Sequence, residues 1–230
     1  SLAPRKHASD FPVSAHSARQ PPSDPTLAVL RLTPLYLAFS KPPDLRVDGD
    51  FPHTVEKLAT ALIEEGPEGI PALSRDFRPR LVHQLDYATS GVMLLALTKP
   101  AARAAARAFE RRETEKSYVA IVHGWLRPAP RVVSLRVAYH PDDEFRMATV
   151  SSDGEGEDPA RGVVPLARCE TSGRGSARVA ETRWDAPLAW GTVRGMPATR
   201  VRMRPVTGRR HQLRVHALAE GCPIVGDATY

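Results

Sequence analysis

The chain is nearly without cysteine: Cys169 and Cys222 are the two it has in 230 residues. Two cysteines allow at most one disulfide, make no metal motif, and exclude the disulfide-dense framework of a small secreted domain. A reducing, intracellular compartment is the expectation. No apolar run approaches the ~18 residues of a membrane-spanning helix, and no signal-peptide apolar core is visible. There is no phosphate-binding glycine loop, no dinucleotide fingerprint and no Cys/His cluster with metal-ligand spacing. Lysine is scarce too, five of the 32 basic residues, the rest being arginine. Arginine donates from a planar fork that suits phosphate groups.

What is present is a soluble globular composition, 42% hydrophobic and 25% charged, long enough for one sizeable core or two small ones. The net charge of +6 and the pI near 9.7 favour a polyanionic partner. Many of the 22 prolines fall in the first 71 residues. Residues 1–28, rich in Ser, Pro, Ala and His, read as a flexible arm whose Arg5, Lys6 and Arg19 fit a solvated tail better than an RNA contact. Ser1 and the stop at Tyr230, just after Gly226-Asp227, read as cut ends.

Order begins near Leu30. Leu35–Phe39 predicts a buried strand running into the breaker Lys41-Pro42-Pro43. Thr54 caps a helix whose Val55, Leu58, Ala59, Leu62 and Ile63 share a face, and Gly66-Pro67 ends it. Val92–Leu97 is an apolar run of strand length, and Thr98-Lys99-Pro100 opens an Ala-rich helix reaching about Arg111. Lys116–His123 alternates weakly, as a strand does. Residues 151–175 are poor in large apolar side chains and predict an exposed insertion. Thr199–Pro205 alternates strictly: Val201 and Met203 face a core, while Arg200, Arg202 and Arg204 line the other face, as a solvated strand or as an RNA-backbone stripe. A helix is expected from near Arg210 to just before Gly221, which suits a C′ position. With no regular βαβ spacing and no repeat, the fold class is α+β with a mainly antiparallel sheet.

Two distant segments carry the chemistry. Asp86 lies just before the turn formers Thr89-Ser90-Gly91 and a buried strand. On its own, such an Asp is more often a turn-stabilising acceptor than a catalytic group. The basic segment Gly208-Arg209-Arg210-His211-Gln212-Leu213-Arg214 changes that reading. A carboxylate in a partly buried cleft stays ionised when a cation lies beside it, and Arg214, Arg209 and Arg210 are candidates. Arg210 and Arg214 are one helical turn apart. His83, His211 and His216 are dispersed and fit hydrogen-bonded groups better than metal ligands.

HQLDYATSGVMLLALTK (83–99) resembles the signature around the catalytic aspartate of RluA-type pseudouridine synthases. Glu115–Ala120 is similar to that family's Lys-x-Tyr strand, and TGRRHQLRVH (207–216) to its third motif. Gly221–Tyr230 resembles its Gly-x-Pro-Ile-x-Gly-Asp-x-x-Tyr block, and Lys41-Pro42 its Lys-Pro turn. The blocks occur in family order and cover most of 35–230. The resemblance implies one catalytic domain over 29–230, with a central cleft between two halves of a continuous sheet and flanking helices. It implies cofactor-free isomerisation of uridine to pseudouridine in transfer, ribosomal or messenger RNA by a monomer that does not engage membranes. Asp86 would engage the target uridine, Tyr118 would lie against the flipped base, and Arg214 would pair with Asp86. Leu213 would form an apolar wall, with Gln84, Thr89, Arg210 and His211 on the substrate side. Gln84 stands where many such enzymes have Arg; Gln at that place, like Arg46-Val47-Asp48, also resembles eukaryotic RluA-domain proteins. The alternative is a catalytically silent RNA-binding protein of the same fold, which the joint retention of Asp86, Tyr118 and Arg214 disfavours. A hydrolase using Asp86 and His83 leaves the Tyr118 and Arg214 blocks unexplained.

Overall fold

A computed structural model describes residues 25–64, 79–151, 153 and 156–230. Of the expected arm over 1–28, residues 1–24 lie outside these residues, as does the Gly66-Pro67 helix stop, and Ala28 already belongs to a strand. The chain divides into two compact units, one ending at Thr114 and the other starting at Glu115. The α+β class and the predominance of antiparallel pairing hold. Among the described residues, however, the strands form two hydrogen-bonded sheets where one continuous sheet was expected.

The N-terminal unit has a four-stranded sheet in the order β1-β2-β4-β3. Its strands are β1 (Ala28–Leu32), β2 (Tyr36–Lys41), β3 (Arg80–Leu81) and β4 (Gly91–Ala96). β4 pairs with β2 on one side and with β3 on the other, and it buries Met93, Leu95 and Ala96 while Val92 stays exposed. β2 alternates, burying Leu37, Phe39 and Lys41. Helix α1 (Val55–Glu64) buries Val55, Ala59 and Ile63, and Thr54 accepts the Lys57 N–H at 3.2 Å at its start. Helix α2 (Lys99–Glu110) begins at the N-cap Thr98, which accepts the Ala101 N–H at 3.2 Å, and buries Ala101 and Ala105. Proline in its first turn removes a donor that has no intrahelical acceptor anyway.

The C-terminal unit has a seven-stranded sheet. It comprises β5 (Tyr118–His123), β6 (Arg131–Tyr139), β7 (Met147–Val150), β8 (Val163–Val164), β9 (Arg178–Trp184), β10 (Ala189–Val193) and β11 (Met196–Pro205). The path runs β10-β11-β9-β6-β7-β8, and β5 also pairs with β11. Val122, Val133, Trp184, Val201 and Met203 form the core on one face of this sheet, packed with Ala217 of helix α4 (Gln212–Ala219). The alternation in β11 is as expected: Val201 and Met203 are fully buried.

Two expectations need correction. The segment 151–175 is not merely an exposed insertion. It contains a 3₁₀ turn (Pro159–Arg161), the strand β8 parallel to β7, and helix α3 (Leu166–Thr171). Val164 and Cys169 drop into a small cluster with Ala138, Ala148 and Val150. Small side chains suffice there, so the segment lacks the large apolar residues that mark a core. Gly162, at φ 63°, is required by the approach of Leu218, whose Cδ2 would lie 2.8 Å from an added Cβ. Second, α4 begins at Gln212, not near Arg210, because His211 takes a left-handed conformation (φ 53°) at the N-cap. Its other end is a Schellman motif, as Gly221 suggested: Gly221 N–H donates to Leu218 O and Cys222 N–H to Ala217 O. Both cysteines are buried and neither is in a disulfide.

Candidate active site

The residues singled out in the sequence divide between the units. Asp86, Gln84 and Thr89 belong to the N-terminal unit; Tyr118, Arg210, His211, Leu213 and Arg214 belong to the C-terminal unit.

Asp86 is half-buried in the loop between β3 and β4, and its carbonyl accepts the Thr89 N–H at 3.0 Å, closing a turn. Lys41 sits beneath this loop. Its side chain is fully buried, and Nζ donates to the carbonyls of Pro42 (2.9 Å), Leu45 (2.8 Å) and Tyr87 (3.0 Å). Those three bonds use all three ammonium protons and tie the residue after Asp86 to the Lys-Pro turn. Burial lowers the Lys41 pKa to about 8, against the opposing pull of Asp44 and Asp86. His83 accepts the Leu94 N–H at 2.9 Å and packs on Phe109, which fits the non-metal reading. Gln84 is exposed, and its amide reaches Asp48 at 3.4 Å. Nearby, the Arg46 guanidinium lies over the Phe51 ring at 4.1 Å and the Tyr87 ring at 5.4 Å.

In the C-terminal unit, Tyr118 opens β5 opposite Met203 of β11 and is half-buried. Arg214, on the first turn of α4, makes a bidentate pair with Asp227: Nε–Oδ2 2.6 Å and Nη2–Oδ1 2.7 Å. The side chains are 17% and 6% exposed, so the pair is well shielded from water. The Asp227 carboxylate also accepts the Thr229 N–H at 3.0 Å. The Arg214 guanidinium rests 4.7 Å above the Tyr230 ring. The Tyr230 hydroxyl accepts the Met147 N–H and shares a hydrogen bond with His211 Nδ1, each at 2.7 Å. Burial raises its pKa to about 12.

The loop before α4 is organised by Gln212, buried to 4% exposure. Its Oε1 accepts from the Thr207 hydroxyl (2.6 Å) and the Arg209 N–H (3.0 Å). Its Nε2 donates to Glu181 O and the Thr182 hydroxyl, both at 2.9 Å. Every donor and acceptor of the amide is used. Arg210 precedes the helix and diverges from Arg214, its Nη2 donating to Phe145 O at 3.3 Å. The two were expected to share a face; the late helix start separates them. Leu213 packs against the core around Met203. On β11, Arg202 and Arg204 both reach Asp185, at 3.8 and 2.8 Å, so that stripe is partly neutralised within the protein.

Lys41, Gln212, Asp227 and Tyr230 are the positioning residues that the sequence did not reveal as such. Gln212, Asp227 and Tyr230 stand inside the quoted motifs, so the signal available was motif membership. Nothing in the spacing tells that Asp227 faces Arg214.

The architecture is that of pseudouridylate synthase domains: a solved structure of human RNA pseudouridylate synthase domain containing 1 superposes with a TM-score of 0.68, at 30% identity, over 92% of this chain and 72% of that one. Human RNA pseudouridylate synthase domain containing 4 gives 0.67 at 27% identity, over 88% and 68%. Residues 36–219, spanning both units, match the family described as RNA pseudouridylate synthase, and the chain belongs to that family. Among curated relatives, RNA pseudouridylate synthase domain-containing protein 1 of Danio rerio is 33% identical over 92% of this chain. Dual-specificity RNA pseudouridine synthase RluA of Escherichia coli K12 is 31% identical over 91% of this chain and 80% of its own length. The chain spans 62–66% of the length of the vertebrate domain-containing protein 1 relatives.

Proposed function

We propose that this protein isomerises uridine to pseudouridine in structured RNA, with Asp86 as the residue that engages the target nucleotide. The observation that carries the reading is the family match running unbroken across both units, with Asp86, Tyr118 and Arg214 all inside it. The reaction breaks the N1–C1′ glycosidic bond and forms a C5–C1′ bond in the same nucleoside. The C5 proton is given up and N1 gains one, so no oxidant, reductant or group donor is consumed. A base within a stem must leave the stack to be reached, and the cost of unstacking is met by contacts to the extruded nucleotide.

In this reading Asp86 acts on the uridine from a loop braced by Lys41. Tyr118 lies against the flipped base, Leu213 provides an apolar wall, and Arg214 keeps the aspartate ionised and oriented. Gln84, Thr89, Arg210 and His211 contact the RNA around the target. Arg214 enters this role already aligned by Asp227 and Tyr230, so it spends little conformational freedom when it engages a further carboxylate. Phosphate contacts supply most of the affinity and make it fall with salt.

Tritium release from RNA carrying [5-³H]uridine tests the reading. Asp86→Asn is expected to lower release by roughly a thousandfold or more while the melting temperature and RNA affinity stay near wild type. Release by the variant at the wild-type rate would remove Asp86 from the mechanism. Absence of release by the unmodified protein from transfer, ribosomal and messenger RNA alike would favour the silent RNA-binding alternative.

A further inference from the structure

Helix α2 is built against two ordinary rules of helix stability. Lys99, Arg103, Arg107 and Arg111 recur at every fourth position, and all four are exposed. Like charges four apart repel across adjacent turns. The first turn holds Lys99 and no acidic residue, although the positive end of the helix dipole favours a carboxylate there. Compensation within the protein is partial: Arg107 in the last turn and Arg111 at the C-cap lie at the negative end of the dipole, which favours them, but Lys99 and Arg103 have no such gain. Arg111 lies 3.9 Å from Glu113, and among the described residues Lys99, Arg103 and Arg107 form no ion pair. Packing does not demand the row either, since the buried face of α2 is Ala101 and Ala105. A feature that breaks local rules with little gain inside the fold points to a gain outside it.

The geometry of the row indicates the partner. Successive members are about 6 Å apart along the axis and drift about 40° around it, so the row covers about 18 Å as a shallow curve. That is a regular line of cations with a step close to that between neighbouring phosphates of a nucleic-acid strand. Three of the four are guanidinium groups, which bind phosphate oxygens in a fork. The β11 stripe offers a weaker case, because Asp185 already occupies two of its three arginines. α2 also follows β4 directly, and β4 follows the Asp86 turn, so the row belongs to the unit that carries the candidate carboxylate.

We propose that the exposed face of α2 is an RNA-backbone contact, with Lys99, Arg103, Arg107 and Arg111 engaging consecutive phosphates of the substrate RNA outside the target nucleotide. This rests on the function proposed above and extends it to an exposed helix face of the same unit. The test uses the full chain and an unmodified transfer RNA transcript, with Kd measured by fluorescence anisotropy across a potassium chloride series. The double variant Arg103→Gln/Arg107→Gln is expected to reduce the slope of log Kobs against log salt by about 1.4–1.8 and to weaken binding at low salt roughly tenfold or more. Its melting temperature should hold or rise, because like-charge repulsion is relieved. The single variant Arg103→Gln, with about half the slope change, serves as the second measurement if the double variant melts low. An unchanged slope in both variants overturns the inference, as does loss of binding to polyglutamate with RNA binding intact, which would make the partner an acidic polypeptide. Tritium release by the unmodified protein separates the two claims. Release with an unchanged variant slope sinks only the α2 contact; no release with a reduced slope sinks the isomerase reading and leaves the contact standing.

Discussion

Asp86 and Arg214 are held in place by opposite means. The Asp86 loop is fastened by a single buried cation that gathers main-chain carbonyls, with Lys41 reaching Pro42, Leu45 and Tyr87. Arg214 is fastened by side chains: the Asp227 fork, the Tyr230 ring, and the Gln212 amide that shapes the preceding loop. A carbonyl clamp depends on one residue and is indifferent to the side chains it gathers. A side-chain network spreads the same task over several residues, each of which matters. The difference suits the two sequences. The loop around Asp86 is short and turns tightly, so its backbone is what needs holding. Arg214 projects from a helix whose backbone is already satisfied, so its long side chain is what needs holding.

The largest loss is expected at Asp227. Asp227→Ala leaves the Arg214 guanidinium largely buried without its carboxylate, and a loss of about 3–5 kcal/mol is expected in urea unfolding, with isomerisation falling alongside. Retention of full stability would show that Arg214 has an equivalent partner and that the network is redundant.

Lys41→Met comes next. It removes three charge-assisted hydrogen bonds and also the cost of burying a charge, so a net loss of about 2–4 kcal/mol is expected. The pH dependence sharpens this test. Below pH 8 Lys41 is protonated in both folded and unfolded chains, and its contribution is flat. Between pH 8 and 10.5 the folded chain releases a proton that the unfolded chain still holds, so this group raises stability as pH rises. The gain is complete above 10.5 and lost as pH falls through 8. Stability curves of wild type and variant should therefore diverge with pH in that window; parallel curves would mean that Lys41 titrates as an ordinary lysine.

Tyr230→Phe should have the smallest effect. It keeps the ring under Arg214 and deletes the hydroxyl that serves Met147 N–H and His211 Nδ1, for an expected loss of about 1 kcal/mol. A drop of 3 kcal/mol or more would be as large as that expected for Asp227→Ala and would make the hydroxyl, not the ring, the centre of the network.

Much of the fold was legible because local chemistry decides it. The α1 face, the Thr98 cap, the apolar β4, the alternation of β11 and the Gly221 helix stop all follow from periodicity and from capping and turn preferences. The segment 151–175 misled because its core is made of small residues, and burial by a few valines, alanines and a cysteine leaves no strong pattern. The α4 start misled because a left-handed His211 has no sequence marker comparable to glycine. In the candidate site, Asp86, Tyr118 and Arg214 were visible through their motifs, whereas the fastenings were not. Asp227 is 13 residues from Arg214, Lys41 is 46 from Tyr87, and Gln212 is 30 from Thr182.

The sequence by itself determined the class of fold, the family, and the residue types available for chemistry, because these rest on local preference and motif identity. Tertiary structure alone decided which groups neutralise and orient one another. Hydrogen bonds and ion pairs depend on distances of about 3 Å between atoms far apart along the chain, and composition and spacing do not encode that proximity.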